Sequence, residues 1–395
     1  MGKHGKRLSQ QQQQKQQRRG RRAFSYHNEE EEEQQYIEQR DSEENDDESQ
    51  EEEEEEVEEE EEDNEISQSP SNNGVPSKFL LYQQSVQSPK GDISYLQKFF
   101  LMYVGGRMPL HLQEDFCGTA LLSTEWLRTD ARRTAIGLDL DIEALKWCME
   151  SNLSKVGADV YSRIFLFHGN VLEPLQATLV NFDPQDLGQR ITLEDCKDGP
   201  DAVLVISSTQ GSLLGVSHKL MKDTRLPERD IVCAFNYSCC CLHKRQELVL
   251  YFKYALSILN KRGGIFVMDL YGGTSSECQL RMQRRFPTFT YIWEQAEFDV
   301  LQRKTRISLH FNLQNQKKKL RHAFSYSWRL WSLPEIKDCL EEAGFRSVHF
   351  WMRSMPNSKE IRNIDGFGVG RDIKYEEVTS FQQQDSWNAY IVGVV

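Results

Sequence analysis

The sequence of 395 residues has no long hydrophobic run, because no stretch approaches the ~18 consecutive apolar residues that a membrane-spanning helix needs. Lys3, Lys6 and Arg7 are followed by no apolar stretch, so a secretory signal is not expected. The nine cysteines do not suggest a disulfide framework, since their number is odd and Cys239–Cys241 are adjacent. We therefore expect an intracellular protein, in the cytoplasm or the nucleus, with no membrane partner.

The folded part of the chain lacks a strong net charge, although the whole chain carries −13. Residues 1–77 hold 9 basic and 25 acidic side chains, whereas the remaining 318 residues hold 39 basic and 36 acidic ones. A nucleic-acid partner is therefore possible but is not indicated for the folded domain.

Residues 1–77 are predicted to be a disordered tail, because low hydrophobicity and high charge do not compensate the chain entropy lost on folding. The first 27 residues are basic and rich in glutamine, and residues 28–65 are dominated by glutamate. The basic clusters fit a nuclear address or a phosphate-binding arm, and they fit a solubilising tail equally well.

From residue 78 to residue 395, apolar runs alternate with amphipathic segments. Helices with apolar faces are predicted between candidate strands at residues 110–114, 134–139, 163–167, 231–235 and 265–270. Such β-α-β units form a parallel sheet with helices on both faces. Residues 174–229, rich in Asp, Gly and Pro, are interpreted as an insertion into this domain.

The C-terminal part alternates apolar and polar residues with period 2. This pattern runs through residues 307–313 and again through 324–330, with a polar, lysine-rich segment between them, and it predicts an antiparallel hairpin. Residues 291–300 are a candidate third strand. Two closing strands are predicted at residues 348–352 and 387–395.

Polar side chains follow four of the parallel strands, at the edge where ligands bind in open α/β sheets. The first strand ends at Glu114 and turns through Gly118 into a helix. Asp139 ends the next strand, where a carboxylate is able to accept both hydroxyls of a ribose. Asn170 follows the third strand and Asn236 the fourth. We expect these residues to lie close together.

Two kinds of nucleoside ligand compete for this site. A dinucleotide is typically bound by G-x-G-x-x-G, whose glycines make room for a pyrophosphate. Here the loop has one glycine, Gly118, between Phe116 and Ala120, and the carboxylates of Glu114 and Asp115 would repel a diphosphate. S-adenosylmethionine carries a sulfonium and an amino group and no phosphate, so the electrostatics favour it.

The segments LHLQEDFCGTALL, AIGLDLD, HGNV, AFNYS and GGIFVMDLYGG, taken in this order, resemble those of class I S-adenosylmethionine-dependent methyltransferases. More narrowly, the sequence resembles a plant and bacterial group that carries EDFCGTA, AFNYS-like and SYSWRLWSLPE segments. The resemblance covers residues 78–395.

The resemblance implies cofactor contacts at the positions that match the family's motifs. Its first acid falls on Glu114, near the amino-acid end of the cofactor, and its ribose-binding acid falls on Asp139. The position beside the adenine falls on Asn170, where the family more often has Asp, and the position beneath the sulfonium falls on Asn236. The implied cofactor-binding residues are Glu114, Cys117, Gly118, Thr119, Asp139, Leu140, Asn170, Val171 and Asn236.

The resemblance also implies an α/β, Rossmann-like seven-stranded sheet that is mostly parallel and has an antiparallel last strand. The antiparallel β-hairpin, within residues 286–331, would then form a cap over the acceptor. Aromatic stripes are more often core, but some rings could line an acceptor pocket. The candidates are Tyr237, Tyr271, Trp328 and Trp331.

Other reactive side chains are given structural roles. Cys239–Cys241 and His243 lack the spacing of metal ligands, so we expect an inert buried cluster and no metal site. His310 and His322 lie in strand segments, where histidine is more often only hydrogen-bonded. No catalytic base is identified.

The expected function is methyl transfer from S-adenosylmethionine to an unidentified acceptor. Ala234-Phe-Asn-Tyr237 lacks the Asn/Asp-Pro-Pro-Tyr/Phe motif of similar enzymes that methylate nucleobases and glutamine, which favours a small molecule. Two alternatives stay open. One is an RNA or protein methyltransferase docked by the N-terminal tail, and the other is a non-catalytic module that binds the cofactor.

Overall fold

The computed structural model describes residues 76–180, 219–314, 318–355 and 374–395, which belong to one compact unit, Asn72–Val395. All but the last two residues of the predicted disordered tail lie outside the described residues, and so does most of the predicted insertion. Within the described ranges, no helix is long and apolar enough to cross a membrane.

Alternating helices and strands build the first half of this unit. They are α1 (Lys78–Val86), α2 (Pro89–Tyr103), β1 (His111–Asp115), α3 (Leu121–Arg128), β2 (Thr134–Asp139), α4 (Ile142–Ser151), β3 (Ile164–His168) and β4 (Thr178–Leu179). Asp141 begins α4 as its N-cap, because Oδ1 accepts the N–H groups of Glu143 and Ala144 at 2.9 and 3.0 Å.

The second half contains more strands than helices. They are β5 (Ile231–Ala234), α5 (Arg245–Ile258), β6 (Ile265–Gly272), β7 (Leu280–Arg285), β8 (Phe289–Gln295), β9 (Lys304–Leu313), β10 (Lys318–Arg329), α6 (Leu333–Ala343), β11 (Ser347–Ser354), β12 (Glu376–Val378) and β13 (Trp387–Val394). A capping box begins α6, in which the Ser332 N–H donates to Glu335 Oε2 at 2.9 Å and the Glu335 N–H donates to Ser332 Oγ at 3.4 Å.

The main sheet has nine strands in the order β12-β11-β13-β6-β5-β1-β2-β3-β4. Strands β3, β2, β1, β5 and β6 are parallel, and β13 runs antiparallel between β6 and β11. The predicted α/β, Rossmann-like, mainly parallel sheet with an antiparallel last strand is confirmed. The count is nine rather than seven because β4 and β12, of two and three residues, extend the two edges.

Helices cover the main sheet on both faces, as its parallel strands require. Trp126 of α3 and Leu145 of α4 are fully buried in one apolar layer, which also contains Phe99 of α2. Phe252 of α5 and Leu340 of α6 are fully buried in the layer on the other face. Alternate residues of the strands point into the two apolar layers. The carboxyl ends of the strands lie outside both layers, and polar groups occupy that edge.

A second, four-stranded antiparallel sheet has the order β10-β9-β8-β7. It contains the predicted hairpin as β9 and β10, with a register shift between Leu320 and Phe324, and the predicted third strand as β8. Strand β7 was not predicted, because three of its six residues are arginines and the alternation is therefore weak. We call these four strands the cap sheet.

Helices α1 and α2 were not predicted either, and they bring the N-terminal part of the unit to the main sheet. The Phe99 ring of α2 lies 5.1 Å from the Trp351 ring of β11 and 5.7 Å from the Tyr390 ring of β13, centroid to centroid. Gln83 of α1 donates from Nε2 to Thr119 Oγ1, in the loop after β1, at 2.6 Å. These contacts position both helices beside the candidate site.

Asp115, counted with Glu114 as a carboxylate that would repel a diphosphate, faces the interior of the protein. Its carboxylate accepts from Gln113 Nε2 at 2.8 Å and from the Tyr251 hydroxyl of α5 at 3.0 Å. Burial raises the pKa of Asp115 to about 6, although these bonds and Arg229 oppose the shift. Successive strand residues point to opposite faces, so Glu114 and Asp115 do not share a site.

Tyr251→Phe is expected to lower the free energy of unfolding by about 1–3 kcal/mol, because the buried Asp115 carboxylate loses a donor. Tyr271→Phe is the control, since its hydroxyl lies 3.5 Å from Gln295 Oε1, at the limit of hydrogen bonding. Equilibrium urea unfolding of both variants measures the difference. Equal losses in the two variants would contradict this role of Tyr251.

Candidate functional site

The loop after β1 has left-handed backbone at three residues: φ is 55° at Phe116, 50° at Gly118 and 45° at Ala120. This region favours glycine, and other residues adopt it at a cost of ~1–2 kcal/mol each. The loop therefore adopts a turn that is typical of glycine at Phe116 and Ala120, which are not glycines. A Cβ atom on Gly118 would meet nothing within 4 Å, which leaves its backbone open to a ligand.

Glu114 is buried beneath the start of α3. Its Oε2 accepts the N–H of Ser123 at 2.9 Å and the Ser123 hydroxyl at 2.6 Å. Burial raises the pKa of Glu114 to about 7, and the bonds from Ser123 limit that shift. Glu114 thus satisfies donors in the first turn of α3, and its contact with a cofactor stays a prediction.

Asp139 links the end of β2 to the loop after β1. Its Oδ2 accepts the Gly118 N–H at 2.6 Å, and its Oδ1 accepts the Asp141 N–H at 2.8 Å. Burial raises the pKa of Asp139, while both backbone bonds lower it. The next side chain, Leu140, is 65% exposed. An acid and an exposed apolar side chain therefore stand next to each other at this strand end.

The third predicted segment joins the second through backbone contacts. The Gly169 N–H donates to the Asp139 carbonyl oxygen at 2.9 Å. Asn170 is exposed, and its Oδ1 accepts the Leu172 N–H at 2.9 Å, as in an Asx turn. Val171 is buried in the core. Asn170 therefore lies near the candidate site, and its side-chain oxygen already accepts a hydrogen bond from the Leu172 N–H.

The segment after β5 is held by an acid that sequence reasoning missed. Asn236 and Tyr237 have φ values of 59° and 58°. Their N–H groups donate to the two carboxylate oxygens of Asp269, on β6, at 3.0 and 2.8 Å. Burial raises the pKa of Asp269 to about 8. Asp269 thus fixes the position of both residues.

The remaining predicted cofactor residues belong to the loop after β1. Cys117 is buried, and its N–H donates to the Leu138 carbonyl oxygen at 3.2 Å. Thr119 is also buried and is held on two sides, by Gln83 at its hydroxyl and by Asn152 Nδ2, which donates to its carbonyl oxygen at 2.8 Å. Both residues fix the loop.

A cavity of about 680 Å³ opens beside the ends of β5 and β6. Of the predicted residues, Asn236, Tyr237 and Trp328 line it. The Tyr271 ring packs on the Tyr237 ring, with centroids 4.8 Å apart. Trp331 lies apart from this group, because its Nε1 donates to the Leu242 carbonyl oxygen at 3.2 Å and Arg329 covers its ring.

The cavity also takes residues from two helices that the sequence did not predict and from the predicted closing strand. Asp92 and Tyr95 come from α2, Tyr82 from α1 and Tyr390 from β13. A signal for α2 existed in the apolar spacing of Ile93, Leu96 and Phe100, which follows a helical period after Pro89. No pattern in the sequence relates Asp92 to Asp269.

Within the described residues, no group of three or more His, Cys, Asp or Glu side chains is arranged to hold a metal ion. Cys239 and Cys240 are buried in a short 3-10 turn, Ser238–Cys241, whereas Cys241, predicted to be buried with them, is exposed. Burial raises the pKa of the Cys239 and Cys240 thiols. A thiol with a raised pKa is a poor nucleophile and a poor metal ligand at neutral pH.

No protein-family model matches the sequence, and no curated protein matches it. Solved structures do match. An S-adenosylmethionine-dependent methyltransferase from Clostridium acetobutylicum has 13% identity and a TM-score of 0.46, with 80% of this chain and 96% of that chain covered. The methyltransferase CcbJ from Streptomyces caelestis has 11% identity and a TM-score of 0.46, with 80% and 98% covered. DesVI from Streptomyces venezuelae has 13% identity and a TM-score of 0.44, with 80% and 94% covered.

At this level of identity and superposition, the likeness carries no argument about function. The function is therefore argued from the residues of this chain.

The buried carboxyl of Glu114 makes stability depend on pH in a defined direction. Its pKa is about 7 in the folded protein, above the usual value of 4.5, so the folded state binds this proton more tightly than the unfolded state. The stabilisation of the folded state by the protonated Glu114 carboxyl is complete below the pKa of the unfolded chain, and it is lost as the pH rises through about 7. Glu114→Gln removes this dependence and keeps an oxygen that accepts from Ser123.

We expect the unfolding free energy of Glu114→Gln, relative to the original chain, to increase between pH 5 and pH 8 by up to about 3 kcal/mol. Chemical unfolding at several pH values without ligand measures it. Glu150→Gln, on the exposed side of α4, controls for loss of a charge. Parallel curves for the Glu114→Gln variant and the original chain would refute a raised pKa at Glu114.

Proposed function

We propose that this chain is an S-adenosylmethionine-dependent methyltransferase acting on a small molecule. The observation that carries the proposal is the pairing of Asp139 with Gly118, at 2.6 Å, beside the exposed Leu140. Asp139 retains lone pairs with which to accept the ribose hydroxyls. Leu140 offers an apolar surface to the adenine. The open space at Gly118 would allow the cofactor to come close to the backbone of the loop.

A phosphate-free, cationic ligand suits the charges better than a dinucleotide does. The Gly118 N–H, which a phosphate would need, already donates to the Asp139 carboxylate. Glu114, Asp139 and Asp269 all have pKa values raised by burial, so each gains from a nearby positive charge. Asp115 does not contribute, because it faces the interior.

The other roles follow the order of the strand ends. The loop Cys117–Gly118–Thr119 would pass alongside the cofactor, with Glu114 nearest its amino-acid end. Asn170 and Val171 would border the adenine, and Asn236 would lie beneath the sulfonium. Asp269 supports this last role, because it holds the backbone of Asn236 in place.

Bound S-adenosylmethionine supplies an electrophilic methyl group on a sulfonium. The chain's contribution is alignment of the acceptor and exclusion of water. Asp269 fixes Asn236 and Tyr237 at the mouth of the cavity, and the aromatic residues of the cap sheet enclose it. A small acceptor is favoured because about 680 Å³ matches a small-molecule site better than a macromolecular surface.

Asp139→Ala is expected to weaken S-adenosylmethionine binding by about five- to 150-fold, equivalent to ~1–3 kcal/mol, because a charged hydrogen-bonding partner is lost. Isothermal titration calorimetry measures the affinity. Asp141→Ala is the matched control, since it removes the neighbouring acid and the N-cap of α4 but not the ribose contact. Equal affinity in Asp139→Ala and the original chain would exclude Asp139 from the site.

Incubation with methyl-labelled cofactor and fractionated cell extract is expected to label a low-molecular-weight fraction. Removing residues 1–71 leaves the compact unit Asn72–Val395 and is expected to leave this turnover unchanged. Loss of turnover with the tail, together with label in RNA or protein, would favour the docked alternative. Cofactor binding without any labelled product would favour a non-catalytic module.

A further inference from the structure

Two groups of aromatic rings line the cavity. On the side of the cap sheet, the Trp328 ring lies 5.6 Å from both Trp293 and Tyr326 and 5.9 Å from Tyr237, centroid to centroid. All four of these residues line the cavity. Aromatic faces carry negative electrostatic potential, so such a wall attracts a cation.

The second group is built from a tyrosine of β13, one of α2 and one that precedes β12. The Tyr390 ring of β13 lies 4.4 Å from Tyr375 and 5.4 Å from Tyr95 of α2. These three rings also line the cavity. A ligand in the cavity would therefore lie among aromatic rings of both groups.

Two carboxylates lie at the same cavity, and they differ in how they are bonded. Both oxygens of Asp269 accept backbone N–H groups, from Asn236 and Tyr237. Asp92 accepts the Tyr390 hydroxyl at Oδ1, at 2.5 Å, and within the described part of the chain no donor is bound to its Oδ2. Asp92 is thus the carboxylate with capacity for a ligand.

The pKa values of these two acids separate their roles. Burial raises the pKa of Asp92 to about 6, and the bond from Tyr390 opposes this shift. Burial raises the pKa of Asp269 to about 8, and the nearby charge of Asp92 adds to it. The pKa of Asp92 therefore lies below that of Asp269, which makes Asp92 the more readily ionised of the two acids.

The cations that line the cavity have partners of their own. Lys98 Nζ of α2 lies 4.2 Å from the centroid of the Trp351 ring. The Arg353 side chain of β11 lies near the Tyr375 hydroxyl and lowers its pKa, against the larger effect of burial. Neither forms an ion pair with Asp92 or Asp269 in the described residues. Among the residues that the structure describes, no cation forms an ion pair with Asp92.

We propose that this cavity binds a small molecule through a protonated amine held against the aromatic wall, and that Asp92 takes the proton from that amine. The proposal rests on the proposed methyl transfer and names its acceptor class. The ammonium gives one proton to the Asp92 carboxylate and so exposes its lone pair. The nitrogen lone pair then forms a bond to the methyl carbon as the carbon–sulfur bond breaks, and the electron pair of the carbon–sulfur bond goes to sulfur. The methylated nitrogen carries the positive charge, and Asp92 returns its proton to water.

Three probes that differ at one end test the amine: tyramine, its alcohol analogue tyrosol, and 3-(4-hydroxyphenyl)propionate. Calorimetry with the full chain at pH 7.5 is expected to give binding of tyramine about tenfold or more tighter than of the other two. In Asp92→Asn, which keeps an oxygen for the Tyr390 hydroxyl, this preference is expected to disappear. Equal binding of the three probes, no binding of tyramine, or a preference that survives the substitution would overturn the proposal.

Tyr390→Phe provides a second variant that leaves the Asp92 carboxylate in place. Tyramine affinity of the original chain is expected to fall below about pH 6, where Asp92 is protonated. Loss of the Tyr390 hydroxyl removes a bond that lowers the pKa of Asp92, so this fall is expected at higher pH in the variant. An unchanged pH profile would contradict the role of Asp92.

Calorimetry with S-adenosylmethionine separates this proposal from the one on which it rests. Asp92→Asn is expected to bind the cofactor as the original chain does, because Asp92 lies outside the group formed by Gly118 and Asp139. Failure of the original chain to bind the cofactor would contradict the proposed methyltransferase function. The preference for an amine would then still be tested by the three probes alone.

Discussion

At the carboxyl edge of the main sheet, buried carboxylates accept the backbone N–H groups of the turns and of a helix start. Glu114 at the end of β1 accepts donors from the first turn of α3, Asp139 at the end of β2 accepts the Gly118 N–H, and Asp269 on β6 accepts those of Asn236 and Tyr237. Turns and helix starts at this edge have N–H groups without strand partners, and buried ones must be satisfied. The same acids that hold the turns therefore set the charge of the site.

This arrangement has an electrostatic cost that a cation offsets. Burial disfavours the charged form of each acid, as the raised pKa values of Glu114 and Asp269 indicate. Lys98 and Arg353 at the cavity are engaged with aromatic residues rather than with these acids. The sulfonium of the proposed cofactor and the ammonium of the proposed acceptor would both meet a region of this kind.

Much of the fold could be predicted from the sequence, because buried parallel strands are continuous apolar runs and their ends are marked by polar residues. Gly118 and Asp139 were found in this way, and the structure joins them directly. The direction of adjacent acids was also within reach, since alternation along a strand separates Glu114 from Asp115. Strand β7 was missed because its arginines obscure the alternation.

The cavity was harder to predict because it is assembled from distant parts of the chain. Asp92 lies on α2 and meets Tyr390 only when the last strand enters the sheet beside β6. Asn170 illustrates a different difficulty, because the same side chain suits an adenine edge and an Asx turn. Trp331 was a fair candidate by sequence, but its place beneath Arg329 depends on packing that the local sequence does not encode.

The left-handed turn after β1 has a consequence for how a ligand enters. Phenylalanine and alanine have fewer backbone states in the unfolded chain than glycine has. In this loop the Ala120 N–H donates to the Cys117 carbonyl oxygen at 2.7 Å, and the neighbouring Thr119 is held by Gln83 and Asn152. An ordered loop of this kind would lose little further freedom on binding the proposed cofactor, so the main entropic cost would be the immobilisation of the ligand itself. Such a loop would bind a ligand as a preformed surface and would not fold around it.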